Sequence, residues 1–268
     1  MNFDTDTALE RRGPSTFTGV ISRRWWIERA PNGGYVTAIV LRALMMTLSD
    51  PSRPPRSLTV HFLDPLAEGP FEAETAAERS GRALTSLSAR ITQAGRTCAV
   101  ALSAFSAART GMEFSDLAMP DVPGPERSRP WSVSDGFAVP IVERWEWRLA
   151  AGGPPFSGAS AASVAVWMRL PEQRVADALV AAALTDAWFP PVYSRATQPI
   201  ATPTIDLTVH FRTALPLPRA TPQSWTLGVF RSRVAKEGFT EVDGELWSED
   251  GVLIAQSRQL SLCLLLAK

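Results

Sequence analysis

The tetrapeptide Thr59-Val60-His61-Phe62 recurs as Thr208-Val209-His210-Phe211, 149 residues further along, and these two copies hold both histidines of the chain. Each copy follows a stretch with helical spacing and precedes a run of strand-like segments. A chain that states such an order twice builds two related units, and a shared site then lies between them or at matching edges. The length of 268 residues accommodates one large domain or two of roughly half that size.

In the first half, Val36, Ile39, Val40, Ala43 and Leu44 recur at three- and four-residue intervals and predict a helix over Gly34 to Thr47. Asn32 stands where a cap is needed, within the turn Ala30 to Gly34, and Asp50-Pro51 ends the run. Strands are expected over Ser57 to Leu63, Phe71 to Ala77, Ala83 to Thr92 and Thr97 to Ser106, separated by glycine-containing turns. Ala107 to Pro130 carries four prolines and few apolar residues and reads as a linker. The second half repeats the order. Strands are expected over Phe137 to Arg148 and Val164 to Leu170, then a helix over Gln173 to Thr185 with the stripe Val175, Leu179, Val180 and Leu184. Four strands follow, over Ile205 to Arg212, Gln223 to Ala235, Thr240 to Ser248 and Val252 to Leu266. The class is α+β. Each half is a helix covering one apolar sheet face, and joining the two sheets edge to edge hides their open edges.

Composition excludes several functions. Lys plus Arg and Asp plus Glu both number 27, and no dense basic tract points to nucleic acid. The most apolar run, Val36 to Met46, is short and contains Arg42, so no membrane span is expected. The polar, acidic N-terminus is unlike a signal peptide, which makes the cytoplasm the expected location. Cys98 and Cys263 sit in apolar strand-like stretches as thiols rather than a disulfide framework. Two cysteines and two histidines, scattered singly, offer no metal-ligand spacing, and no cofactor is expected. Gly33-Gly34 lacks the three-glycine dinucleotide spacing, and no Gly-x-Ser-x-Gly elbow occurs. Twin placement of His61 and His210 suggests a structural role at the join of the halves.

Several short marks carry a resemblance. They are Arg29-Ala30-Pro31-Asn32-Gly33-Gly34-Tyr35, then Leu184-Thr185-Asp186, Thr204-Ile205-Asp206, and Asp250-Gly251-Val252-Leu253-Ile254-Ala255 followed by Gln259. In this order the chain resembles the double hotdog proteins, in particular the acyl-CoA thioesterase II family, from about residue 21 to residue 266. The resemblance implies an N-terminal hotdog over 1–110, a linker over 111–130 and a C-terminal hotdog over 131–268. It implies one continuous sheet, an acyl-CoA substrate and a homo-oligomer. It also implies that Asp186, Thr204 and Gln259 hold a water against a thioester. The chain departs from the family pattern at Leu207, where a histidine is common, and at Phe211-Arg212-Thr213-Ala214.

The residue types suit that chemistry. A carboxylate can take a proton from water, and a hydroxyl and an amide can both donate and accept toward it. Asn32, Gly33 and Gly34 are candidates for oxyanion donors or substrate positioning, since a helix start offers free N–H groups and glycine permits close approach. Trp188 and Phe189 are candidates for an acyl channel, and Arg195 and Arg212 for the CoA phosphates. Asp206 is an alternative base. Two other functions stay open at this point: a hotdog hydratase or dehydratase, which would use a histidine, and a non-catalytic acyl-CoA-binding or biosynthetic accessory protein.

Overall fold

The structure is a computed structural model, described for residues 2–27, 29–132, 139–172 and 174–266. The first half contains α1 (Phe3–Asp6), β1 (Glu10–Arg11), β2 (Thr16–Ile21), β3 (Trp26–Ile27), β4 (Ala30–Pro31), α2 (Gly33–Leu48), β5 (Pro55–Phe62), β6 (Gly69–Ser80), β7 (Thr85–Gln93) and β8 (Arg96–Phe105). The second contains β9 (Arg129–Trp131), β10 (Glu146–Gly152), β11 (Ala162–Arg169), α3 (Ala178–Leu184), α4 (Val192–Arg195), β12 (Ile200–Ala201) and β13 (Thr204–Phe211). It ends with β14 (Thr226–Ser232), β15 (Ala235–Lys236), β16 (Phe239–Ser248), β17 (Leu253–Leu262) and β18 (Leu264–Leu265).

One antiparallel sheet runs through the molecule in the order β1-β2-β6-β7-β8-β5-β13-β17-β16-β14-β11-β10-β9, with β15 on β16. Outward from the seam, β5-β8-β7-β6-β2 is mirrored in chain order by β13-β17-β16-β14-β11. The double hotdog is therefore a duplicated unit of strand, helix and four strands. The repeated tetrapeptides are the seam itself: β5 pairs with β13 antiparallel, with Thr59 opposite Thr208 and His61 opposite Asp206. Alternation along these strands sends Leu58, Val60, Leu207 and Val209 into the core. Thr59, His61, Asp206, Thr208 and His210 line the opposite face, and both histidines are exposed there.

The two helices lie together against the inner face. Asn32 caps α2 by accepting from the Tyr35 N–H at 2.9 Å. Residues 34–41 of α2 are all buried, so the first half of this helix is core on every side. α3 is seven residues long and entirely buried. It starts at 178 rather than at Gln173, which itself lies outside the described residues. Asp177 is the cap, accepting from Leu179 and Val180 N–H at 3.0 Å. Arg174 is drawn away to Asp4 of the N-terminal helix at 2.8 Å and to Asp177 at 2.9 Å. Gly34 fixes how closely the helices meet, because a Cβ there would stand 2.4 Å from the Ala183 carbonyl oxygen.

Other expectations need correction. The strand expected over 137–148 is a 3-10 turn at Pro140–Arg144 followed by β10, with residues 137 and 138 outside the described set. Arg129 and Pro130, read as linker, belong to β9 and extend the sheet. The strand expected over 223–235 divides into β14 and β15, and that over 252–266 into β17 and β18. The proline-rich stretch before β9 packs on the outer sheet face. Met119 and Val122 cover a cluster including Trp167, Trp225 and Trp247, and Trp167 Nε1 donates to the Pro123 carbonyl at 2.8 Å. Cys98 is buried, Cys263 is half-buried, and both are free thiols. Among the described residues no helix is long and apolar enough to cross a membrane.

Candidate active site

Asp186 follows the end of α3, where a carboxylate meets the unfavourable end of its own helix dipole. It is held by a different helix. The Asn32 side chain donates Nδ2–H to Asp186 Oδ2 at 2.9 Å and to the Asp186 carbonyl at 2.7 Å. The Gly34 N–H donates to the same Oδ2 at 3.0 Å. The carboxylate thus closes the N-terminus of α2, where free N–H groups and the dipole favour an anion. Gly33 is needed for this approach, since a Cβ there would lie 2.9 Å from Oδ2.

The other carboxylate oxygen faces Gln259 and Thr204. Gln259 Nε2 lies 3.4 Å from Asp186 Oδ1 and donates to Thr204 Oγ1 at 2.5 Å. Gln259 pairs with Leu207 in the sheet and shares its inner face. Thr204 reaches that face through an irregularity. It stands two residues before outward-facing Asp206, but the register with β17 shifts between Thr204 and Asp206. Such a bulge re-aims a side chain. The structure thus brings together all three residues expected to act on a water, and adds Asn32 and Gly34 to the group. Of the backbone N–H groups expected for an oxyanion, those of Gly33 and Gly34 are directed at Asp186, and that of Asn32 donates to the Trp25 carbonyl at 2.8 Å. Asp206 lies on the other face, opposite His61 across the seam.

Burial pushes the Asp186 carboxyl up to about 6, because desolvation penalises its charged form; the bonds from Gly34, Gln259, Asn32 and Gly33 oppose part of that rise.

Gln259 is buried and stands behind Asp186 and Thr204, which together with Asn32 and Gly33 line a cavity of about 550 Å³. Trp188, Phe189 and Tyr193 form an apolar wall of it and are nearly buried. Trp188 is locked edge-on by Trp131 and Trp147, with ring centroids 5.4 and 5.2 Å away. Those two tryptophans are cross-strand partners on β9 and β10. Arg195 and Arg212 are both exposed and line no part of the cavity; Arg212 Nε donates to Gln256 Oε1 at 2.7 Å. The rim carries Arg29 in their place, a residue whose type and exposure gave no sequence signal beyond its position in the Arg29–Tyr35 mark. A second hollow of about 330 Å³ beside Gly152 and Ser163 has Arg231 as its one charged lining residue, paired with Glu245 at 2.9 Å. Among the described residues no cluster of His, Cys, Asp and Glu could hold a metal.

Two of the equivalent positions in the N-terminal half carry different chemistry. The repeat aligns Gln259 with Ser103, whose hydroxyl donates to the Ser57 carbonyl at 2.6 Å, and Thr204 with Pro55.

Comparison with known proteins decides the family. Residues 118–263 match the acyl-CoA thioesterase C-terminal domain and residues 21–106 the acyl-CoA thioesterase N-terminal domain. The chain belongs to the double hotdog acyl-CoA thioesterase family. Among solved structures, this thioesterase-family chain is similar to a hotdog-fold protein from Alicyclobacillus acidocaldarius, with 29% identity, a TM-score of 0.90, and coverage of 99% of this chain and 98% of that one. A candidate thioesterase II from Thermobifida fusca shares 24% identity, with a TM-score of 0.83 and 97% of both chains covered. An acyl-CoA thioesterase II from Mycobacterium marinum shares 19%, with a TM-score of 0.78 and 99% of both chains covered. These last two likenesses concern the fold. No curated protein matches this family member by sequence.

Proposed function

We propose that the protein hydrolyses acyl-CoA thioesters with a water activated by Asp186. The observation that carries this reading is the division of labour on one half-buried carboxylate: Oδ2 is fixed by Asn32 and Gly34, while Oδ1 is turned toward Gln259 and Thr204. At 3.4 Å the Gln259 contact on Oδ1 is long, so that oxygen is open to a stronger donor such as a water O–H. A pKa near 6 leaves Asp186 ionised at neutral pH yet more basic than a solvated carboxylate, as a general base requires.

In the proposed reaction, water held by Asp186 Oδ1, Thr204 and Gln259 adds to the thioester carbonyl as Asp186 takes its proton. Thr204 Oγ1 accepts from Gln259, so its own hydrogen is left to orient the water or meet the carbonyl oxygen. Collapse of the tetrahedral intermediate breaks the carbon–sulfur bond. The proton on Asp186 passes to the departing thiolate, giving free acid and CoA. Holding the water in place lowers the entropic part of the barrier, and no covalent intermediate is needed. The acyl chain lies against Trp188, Phe189 and Tyr193. A hydratase reading would call for a histidine at the thioester, and neither His61 nor His210 lines the cavity.

A thiol-release assay over a series of acyl-CoA lengths tests this, with Asp186→Asn alongside. Turnover that is lost in the folded variant supports the reading. Undiminished turnover in that variant removes Asp186 as base, and release from no thioester by the wild type removes hydrolysis. The assembly is proposed to be a homo-oligomer, as the family resemblance implies, and light scattering at a single chain's mass would refute that.

A further inference from the structure

We propose that Arg29 is the anchor for the phosphate groups of the carrier, an inference that rests on the acyl-CoA reading of the cavity. The cavity has a wet side and a dry side. Trp188, Phe189 and Val36 on its inner wall are buried, whereas Arg29, Pro65 and Leu63, the last 59% exposed, stand at the rim. A thioester placed at Asp186 with its acyl chain on the aromatic wall therefore directs its pantetheine arm and nucleotide outward across that rim.

Charge singles out one residue there. Among the described residues lining the cavity, the acidic and basic side chains are Arg29, Asp64 and Asp186. Asp64 is neutralised by Arg96 at 2.7 Å, and Asp186 is taken up by Asn32 and Gly34. Arg29 is the one cation of the lining, and among the described residues it pairs with no acid. Its planar fork of donors suits phosphate oxygens.

Contacts on either side brace its mounting. β3 and β4 pair with Trp26 opposite Pro31 and Ile27 opposite Ala30, and Arg29 directly precedes β4. Arg23 lies over the Trp26 ring at 3.8 Å, and the Asn32 N–H donates to the Trp25 carbonyl at 2.8 Å. Three residues beyond Arg29, Asn32 holds Asp186. One short, braced segment thus connects the cation at the rim with the carboxylate at the reacting centre. A protein-borne carrier would need a broad basic docking patch, and the described residues lining the cavity include a single cation. The recognised species is therefore the small anionic carrier, CoA.

Two measurements test the anchor. In the first, kcat/KM is determined for an acyl-CoA and for the same acyl group on N-acetylcysteamine, which has no phosphate. Arg29→Ala should lower the ratio of the two by about tenfold or more, the worth of a charge-assisted hydrogen bond. Arg29→Lys should recover part of it, and added salt should shrink the gap. An unchanged ratio overturns the proposal. The second measurement needs no turnover: calorimetric titration of CoA and of pantetheine into the wild type and Arg29→Ala. Selective weakening of CoA supports the anchor, and equal weakening of both ligands, or of neither, refutes it. Arg29-dependent CoA binding in a protein that cleaves no thioester would leave the anchor standing while the hydrolase reading falls.

Discussion

Thr59 Oγ1 and Thr208 Oγ1 lie 3.0 Å apart across the seam strands, each the counterpart of the other in the duplicated sequence. The local pseudo-two-fold axis passes between these hydroxyls. The bond joins the halves on the outer face, while Leu58, Val60, Leu207 and Val209 join them on the inner one.

Because both hydroxyls are half-exposed, replacing either by valine should cost no more than about 1 kcal/mol, with water meeting the abandoned partner. The double variant Thr59→Val/Thr208→Val should be about as stable as either single one. Denaturant melts of the four proteins give the coupling, and additive losses would show that the hydroxyls do not act as a pair.

Asp186→Asn should reduce kcat by roughly 10²–10⁴-fold, the usual worth of a positioned base. In the wild type, activity should rise with pH through about 6 and then level, because the ionised carboxylate is the working form. A flat profile between pH 5 and 7 would exclude Asp186 as the titrating base.

The same residue should shape stability in the opposite sense. Its pKa is raised from 3.8 to about 6 on folding, so its favourable contribution is full below the unfolded value and is lost as pH climbs through 6. At roughly 1.4 kcal/mol per pKa unit, the difference amounts to about 3 kcal/mol. Melting temperatures of Asp186→Asn relative to wild type should therefore rise between pH 4 and pH 7. A constant difference would mean that folding leaves the acid unperturbed.

Gly33→Ala and Gly34→Ala should fail differently. A Cβ at 33 would press on Asp186 Oδ2 at 2.9 Å and on the Phe62 ring at 3.3 Å, so catalysis should suffer more than folding. A Cβ at 34 would meet the Ala183 carbonyl at 2.4 Å, a backbone atom that yields only if the helices part. Overpacking of that kind costs roughly 1–3 kcal/mol. Thermal melts and single-substrate kinetics on both variants separate the two effects.

Trp188→Ala should shift the acyl-length optimum toward longer chains by opening the aromatic wall. It should also cost about 3–5 kcal/mol as a buried tryptophan truncation. An unchanged length profile in a folded variant would place the acyl chain elsewhere.

Much of the architecture was legible in the sequence because its signals are local. Val36, Ile39, Val40 and Leu44 marked α2, and alternation marked the strands from β5 to β8. The repeated tetrapeptide located the seam. What escaped depends on distant partners. The apolar stripe carries the expected helix back past Val175, yet Arg174 is drawn to Asp4, 170 residues away. The expected 137–148 strand begins only after the turn at Pro140–Arg144, and the bulge that turns Thr204 inward leaves no mark in composition. Asp186, Thr204 and Gln259 could be picked out by resemblance. The grip of Asn32 on Asp186 could not, since nothing local links residues 154 positions apart.

That grip ties the two copies of the ancestral motif into mutual dependence. The acid belongs to the later copy, but groups that grip its charged form belong to the opening turn of the earlier one. Any breathing between the copies would admit solvent to the carboxylate and return it toward an ordinary, weakly basic acid. Neither copy is then free to drift, or to be exchanged for a relative's, without retuning the proton acceptor lodged between them.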